Sequence, residues 1–486
     1  MTNQNINPSD ISAQIARLLP EEFIRQHKVL PLKLENECLE VACCHERNNL
    51  SALSEIQLIT GLETQERLLS EVHIQELIDT LFSVEKSTKQ AIVDMRIQEK
   101  KAAMAHLKEK EEEGINEELT PELSANQPIV KLLNNIIQSA IIKNASDIHM
   151  EPHEPEMRIR YRIDGILQNI LYIPKHVEQT LISRTKIIAD LDITEKRRPQ
   201  DGHYSHLYKG QNYDIRVSCV PTIKGEKIVL RILDKSRMSL GLSDLGFSTE
   251  NTAQLNDLVH TPYGMLLVTG PTGSGKTTSL YALLNCLDHN EHNIVTVEDP
   301  VEYRLSGINQ TQINSKIGLN FSHALRSFLR QDPNVIMVGE IRDYETAEIA
   351  IQAALTGHMV LSTLHTNDAA SAVTRLNDMG VEPFLIASTV VGVIAQRLAR
   401  KICSDCKGNG CNKCQNSGQR GRTVIYELLE INEKIRQLII KKASASDIKT
   451  AMVEDGMMTF EKCGLSKIRR GECHPQELKA VIGLNY

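Results

Sequence analysis

The sequence predicts an α/β fold class: a parallel sheet covered by helices in the C-terminal half, preceded by an α+β domain and a small mixed N-terminal domain. Three observations predict it. From residue 239 onward, apolar strand-length runs (MLLVTG, NIVTV, NVIMVGE, HMVLSTL) alternate with helical stretches, the pattern of strands buried on both faces. The run MLLVTG leads into a glycine-rich turn and then a helix. The length, 486 residues, exceeds one ordinary core at a prior of roughly 150 residues per domain.

Along the chain, residues 1–83 read as the mixed domain, with short amphipathic helices (ISAQIARLL, EEFIRQHKV) around strand-like pieces (VLPLKLE, CLEVACC). Residues 84–126 are charged and have too few apolar positions to bury a face, so a solvated helix or flexible linker is expected. Residues 127–238 form the α+β domain. The helical period of VKLLNNIIQSAIIKNA precedes the alternating MRIRYRIDGIL, with Arg158, Arg160 and Arg162 on one strand face. NYDIRVSCVP and EKIVLRIL are two further strands, each with an arginine, Arg216 and Arg231. Residues 239–486 form the parallel-sheet domain.

The net charge of −7 and sequence pI near 6.2 give no footprint of a polyanion binder, so nucleic acid is not an expected partner. The polar start, MTNQNINPSD, lacks the pattern of a secretory signal, and no apolar run spans a bilayer. The expected location is the cytoplasm, with any membrane contact made through a partner.

The segment Gly270, Pro271, Thr272, Gly273, Ser274, Gly275, Lys276, Thr277 matches G-x-x-x-x-G-K-[ST] in the strand-to-helix setting that the pattern requires, with Thr278 next. The glycines let consecutive N–H groups curl around an anion, and the helix N-terminus adds its dipole. Lys276 would reach the β- and γ-phosphates of ATP, and the Thr277 hydroxyl would ligate Mg²⁺.

Ligands of open parallel sheets sit beyond the carboxyl ends of the strands. NIVTV is followed by Glu298, Asp299 and Glu302; NVIMVG by Glu340; MVLST by His365, with His358 just ahead of that strand. Glu340 is placed to orient the attacking water. The position before it, often an aspartate that holds Mg²⁺, is Gly339, so Glu298, Asp299 and Glu302 are expected to complete the metal's surroundings. His365 would sense the γ-phosphate. For His358 a structural hydrogen bond and a nucleotide contact both stand as readings.

Cys403-x2-Cys406-x4-Cys411-x2-Cys414 gathers four of eleven cysteines in one loop. Two C-x2-C pairs wrap one tetrahedral ion and leave no open position, so the expected metal is structural Zn²⁺, replacing a core the segment is too small to have.

GPTGSGKTT, TVEDPVEY, RQDPNVIMVGEIRD and TGHMVLSTLHTNDA, together with ASDIHMEPHE, RYRIDG, RPQDG, DIRVS and EKIVLRILDK, resemble the motifs of the secretion ATPases in the family's order. These are the hexameric motors of type II secretion and type IV pilus assembly, and the resemblance spans residues 128–486. It implies a RecA-like P-loop motor with a small zinc subdomain behind a PAS-like second domain, and a homohexamer. It also implies that Arg216 and Arg231 are brought to the phosphates when the second domain closes. Lys227 stands where the family commonly has arginine, a weaker substitute if a bidentate fork is needed. A tetracysteine element and an N-terminal domain mark assembly motors rather than retraction motors. The resemblance further implies docking of residues 1–83 on the cytoplasmic part of an inner-membrane secretion protein. A polytopic platform protein is the second expected partner, and the location is peripheral to the inner membrane. Pilus-extension motors sometimes carry a cyclic-dinucleotide motif built on R-L-G, which this chain lacks. Type II secretion is therefore the first reading and pilus extension the alternative.

Overall fold

The computed structural model describes residues 15, 18–19, 21–35, 38–44, 49–81, 127–233, 240–414 and 416–483. The charged segment 84–126 and most of the expected first helix lie outside the described residues. Two compact units are present. The first gathers residues 1–163, 167–204 and 216–232; the second gathers 233–486 with two hairpin segments, 164–166 and 205–215. No helix among the described residues is long and apolar enough to cross a membrane.

In the first unit, β1 (Leu30–Glu35), β2 (Cys38–Cys44) and β3 (Glu63–Leu69) form a small sheet, antiparallel at β1–β2 and parallel at β2–β3. Leu39, Val41, Cys43 and Cys44 of β2 are buried against Ile56, Ile74, Leu77 and Ile78 of the helices Leu50–Thr60 and Glu71–Leu81. Burial pushes the Cys43 thiol up to about 12, so this cysteine packs as a small hydrophobe rather than reacting.

The second sheet runs in the order β6-β5-β4-β9-β8-β7. Its strands are β4 (Ala145–Glu151), β5 (Glu156–Ile163), β6 (Ile166–Pro174), β7 (Gln200–Tyr208), β8 (Gln211–Thr222) and β9 (Gly225–Leu233). Side chains alternate faces with period two. Ile148, Met150, Ile159, Tyr161, Val217, Ile228 and Leu230 are buried. The Tyr161 hydroxyl donates to Ile136 O in the helix Gln127–Ile142. The opposite face carries Arg158, Arg160, Arg162, Arg216, Lys227 and Arg231, interleaved with Asp147, His149 and Glu151.

Within this face, Arg158, Arg160 and Lys227 all pair with Glu151, at 3.0, 2.7 and 3.1 Å. Burial works against that carboxylate, but hydrogen bonds from Arg160, Lys227 and Arg158 outweigh it and bring its pKa down to about 2 from the ordinary 4.5. A carboxylate held below its unfolded value adds stability that is complete above pH 4.5 and is lost as pH falls toward 2. Glu151→Gln is therefore expected to cost about 3 kcal/mol at neutral pH and to flatten the acid limb of unfolding. Denaturant titrations at pH 7 and pH 3 check this; equal midpoints for variant and parent at pH 7 would refute it.

The second unit holds a seven-stranded sheet in the order β12-β11-β13-β14-β10-β15-β16. Its strands are β10 (Gly264–Thr269), β11 (Ile294–Glu298), β12 (Asn309–Gln312), β13 (Val335–Val338), β14 (Met359–Leu364), β15 (Val390–Ile402) and β16 (Gln419–Glu430). Every pairing is parallel except β15–β16, a long antiparallel ribbon on the edge. All six residues of β10 and of β14 are buried, as the continuous apolar runs require. Two helices begin on side-chain caps just past strand ends: Asp343 accepts from Thr346 N (2.8 Å) and Asp368 from Ser371 N (2.7 Å).

Candidate nucleotide and metal sites

The glycine-rich turn lies at the carboxyl end of β10, between β14 and β15. Gly270 has φ +146°, and a Cβ there would fall 2.4 Å from Gln396 O and 2.7 Å from Ser274 Oγ. Gly273 and Gly275 are left-handed at +80° and +89°, and the helix Lys276–Leu284 starts at once. Lys276 Nζ donates to Gly270 O (2.8 Å) and Pro271 O (3.2 Å). Burial lowers its pKa, and the nearby Glu340 charge opposes this. Two neutral carbonyls hold the ammonium, and a phosphate would outcompete them, because charge-assisted bonds are roughly twice as strong. Pro271, Thr272 and Gly273 are exposed; Thr277 and Thr278 are partly buried in the first helical turn. Gly270→Ala combines backbone strain with overlap, about 3 kcal/mol together, so nucleotide affinity should fall at least about a hundredfold. Titration with a fluorescent ATP analogue reads this directly, and near-parent affinity would contradict it.

The strand ends next to the turn are tied together. Thr269 Oγ1 lies 2.8 Å from Thr366 Oγ1 and accepts from Thr366 N at 2.9 Å, joining β10 to the loop after β14. Thr363 Oγ1 donates to Gly339 O (2.7 Å), joining β14 to the end of β13. Gly339 N donates to Val297 O (2.8 Å), and a Cβ at Gly339 would stand 3.2 Å from Val297 O and 3.3 Å from Glu298 Cα. An aspartate before Glu340 would press on β11, which is the local reason for glycine there. Glu340 is only 12% exposed and sits between Arg342 and His365. Arg342 Nη2 is 2.5 Å from Oε1 and His365 Nε2 is 3.3 Å from Oε2. The hydrogen bond to Glu340 raises the Arg342 pKa further. The structure thus brings Glu340 and His365 together and adds Arg342, whose spacing of two from Glu340 was its one signal in the sequence.

Two expected nucleotide contacts differ. Glu298 is 3% exposed and turned into the core. Its Oε1 accepts from Thr296 Oγ1 (2.6 Å) and Gln310 Nε2 (3.1 Å), and its Oε2 from the Tyr281 hydroxyl. Its carboxylate is consumed in holding the helix after the turn to β11 and β12, which leaves Asp299 and Glu302 as the carboxylates of that strand end. His358 lies at the amino end of β14, where His358 O accepts from Gly264 N. Six residues of strand, about 20 Å, separate that edge from the glycine turn. The His358 ring bonds Ala353 O (2.8 Å) and Thr356 Oγ1 (3.2 Å), so it closes the preceding helix and does not contact the turn. Residue order put it beside the strand; only the strand's direction shows which end.

Arg216 and Arg231 belong to the first unit, on the charged face of its six-stranded sheet. Arg231 Nε donates to Asp147 Oδ1 (3.1 Å), and its side chain is 58% exposed. Arg162 approaches the same carboxylate at 3.6 Å.

The four cysteines cap the far end of the ribbon. Cys403 N donates to Gly418 O (2.9 Å), closing the loop at its base. The sulfurs of Cys403 and Cys411 are 3.9 Å apart, Cys406 and Cys414 3.7 Å, Cys411 and Cys414 3.6 Å, with all four within 4.8 Å. A tetrahedron with metal–sulfur bonds of about 2.3 Å has edges of about 3.8 Å, so the donor set fits zinc in size and chemistry. Lys413 Nζ to Asp405 Oδ1 (2.6 Å) braces the outer side of the loop.

The sequence profile described as "Type II/IV secretion system protein" matches residues 122–480, and the MshEN domain profile matches residues 4–88. The chain is 41% identical to the type IV pilus assembly ATPase PilB of Myxococcus xanthus, over 99% of this chain and 88% of that protein. It is equally 41% identical to the type II secretion system protein E of Pectobacterium carotovorum, over 95% of this chain and 97% of the relative. The crystal structure of the Legionella pneumophila ATPase DotB superposes with a TM-score of 0.58 at 23% identity, covering 76% of this chain and 97% of that one, which shows a shared RecA-like fold. With a profile running from the second domain to the last helix, and relatives matched almost end to end, the chain belongs to the type II/IV secretion system protein family and is one of its secretion ATPases.

Proposed function

We propose that the chain binds Mg·ATP on residues 270–277 and hydrolyses it to drive assembly of a pseudopilus in type II protein secretion. The observation that carries this reading is Glu340, held between Arg342 and His365 at the strand end beside the glycine turn. Backbone N–H groups of the turn and Lys276 bind the β- and γ-phosphates; Lys276 exchanges the Gly270 and Pro271 carbonyls for them. Thr277, with Asp299 and Glu302, would hold Mg²⁺, which supplies charge neutralisation of the triphosphate. Glu340 aligns the water, and His365 stands where loss of the γ-phosphate would be felt by the loop leading into the helix Ala369–Asp378. Arg216 and Arg231 neutralise phosphate charge when the second domain closes, a contribution worth roughly 10³ to 10⁵ in rate for such arginines. Cys403, Cys406, Cys411 and Cys414 would hold a structural Zn²⁺.

The working unit in this reading is a homohexamer on the cytoplasmic side of the inner membrane. Residues 1–83 dock on the cytoplasmic domain of a secretion-platform protein, and a polytopic platform protein receives the stroke. Domain limits of 1–83, 84–126, 127–238 and 239–486 belong to the same proposal. Pilus extension is the second reading, favoured by the match to PilB over 99% of the chain.

Phosphate release from Mg·ATP by the full zinc-loaded chain, with and without the partner's cytoplasmic domain, tests the proposal. Turnover should rise with the partner, ignore DNA, and vanish in Lys276→Ala. Release no greater than that of Lys276→Ala would sink it. Pseudopilin genes beside this one would favour secretion; pilin genes would favour extension.

A further inference from the structure

Gln396 is placed by β15, the strand hydrogen-bonded to β10. The last pair in register is Thr269 with Ala395, so Gln396 comes next, directly beneath the glycine turn. It touches the turn at three places. Its backbone oxygen is the atom a Cβ on Gly270 would strike, its Nε2 stands 3.4 Å from where a Cβ on Gly275 would lie, and Nε2 donates to Ser274 O at 2.9 Å. Gln396 is 1% exposed and Ser274 3%.

The two residues also share an unusual defect. Gln396 Oε1, an acceptor, and Ser274 Oγ, a donor, are both buried with no hydrogen-bond partner. Buried polar atoms are almost always paired, so two complementary orphans on one contact call for an explanation. Beside them, Lys276 is folded onto Gly270 O and Pro271 O. Ser274 N also donates to Pro271 O (3.2 Å), so Lys276 and Ser274 are drawn to the same carbonyl.

We infer that Gln396 is a positioning residue for nucleotide binding, with its Oε1 accepting from the Ser274 hydroxyl once Lys276 leaves the turn's carbonyls for phosphate. The amide already anchors Ser274 through its carbonyl, so only the serine side chain and the peptide between Gly270 and Ser274 must resettle. That bond would pair two buried atoms that otherwise have no partner. This rests on the reading of residues 270–277 as the phosphate site.

A double-mutant cycle on the full, zinc-loaded chain tests it. The variants are Ser274→Ala, Gln396→Met and the pair, with Lys276→Ala as reference. Two quantities are read: affinity for a fluorescent ATP analogue, and the melting temperature without nucleotide. Ser274→Ala should weaken ATP about tenfold and leave the nucleotide-free melting temperature unchanged, because its hydroxyl is unbonded there. Gln396→Met should weaken ATP at least as much and lower the melting temperature, because Ser274 O loses its donor. The pair should bind no more weakly than Gln396→Met alone. Additive losses, or Ser274→Ala binding like the parent, would overturn the inference. If Gln396→Met does not fold, Gln396→Asn, one methylene too short to reach, takes its place with the same expected non-additivity. A failure of the phosphate-site reading shows itself separately, as parent-like ATP binding by Lys276→Ala.

Discussion

Replacing Glu340 with Gln should cut ATP turnover by about 10²- to 10⁴-fold while leaving ATP binding intact. The size follows from what is removed. The amide has the carboxylate's shape, and its oxygen still accepts a hydrogen bond, so the contact with Arg342 or with His365 survives. What disappears is the Glu340 charge that would take or polarise a proton of water. The Glu340 side chain is only 12% exposed, which limits screening of its charge by solvent. Binding should hold, since Gln keeps the shape of Glu340 and the turn's own phosphate contacts are untouched. Arg342 itself sets a condition on the mechanism: while its guanidinium holds Oε1, one carboxylate oxygen is occupied, so catalysis needs Oε2 or a shift of Arg342. Single-turnover phosphate release alongside analogue titration separates the two quantities. Full turnover in Glu340→Gln would assign the water to another group.

The features legible in the sequence were those with a local chemical reason. The glycine turn needs its residues in consecutive order, the buried strands of a parallel sheet need unbroken apolar runs, and the four thiols need their spacing. The parts that were not legible depend on which strands become neighbours. β12 (NQTQ) and β7 (QDGHYSHLY) are edge strands with few apolar positions, so periodicity is silent about them. The ribbon β15–β16 turns the expected purely parallel sheet into a mixed one, and its long strands contain Arg397, Arg400 and Lys401, which hide the pattern. Glu298 illustrates the same limit within the site. Its position at a strand end suggested a metal contact, but Tyr281 and Gln310, 17 and 12 residues away on a helix and an edge strand, claim both oxygens. The alternation put Arg158 and Arg160 on one strand face without naming a partner; Glu151, on the neighbouring strand, pairs with both.

Stripping zinc, or changing Cys411 to Ser, is expected to unfold the loop 403–418 and to stop there. Within the loop the buried side chains are essentially the sulfurs themselves: Cys403 is 0% and Cys414 5% exposed, while Lys407, Asn409 and Lys413 face solvent. No apolar core remains when the metal goes, and structural zinc of this type contributes on the order of 10 kcal/mol to its own segment. The damage is bounded because the ribbon below is fastened independently. Arg400 Nε donates to both oxygens of Glu477 at 3.0 Å, and Ile402 N donates to Glu472 O at 2.8 Å. Further down, Gln396 is bonded to Ser274, so the nucleotide turn keeps its support. The parent should therefore contain one zinc per chain, with absorption spectroscopy giving four sulfur neighbours at about 2.3 Å. Cys411→Ser should lose that zinc and gain protease cleavage between residues 403 and 418, with nucleotide affinity within about twofold of the parent. Two results would break the argument. A loop that stays protease-resistant without metal would mean the thiols are not its core, and a collapse of nucleotide binding would mean the ribbon's anchors at Arg400 and Ile402 do not hold.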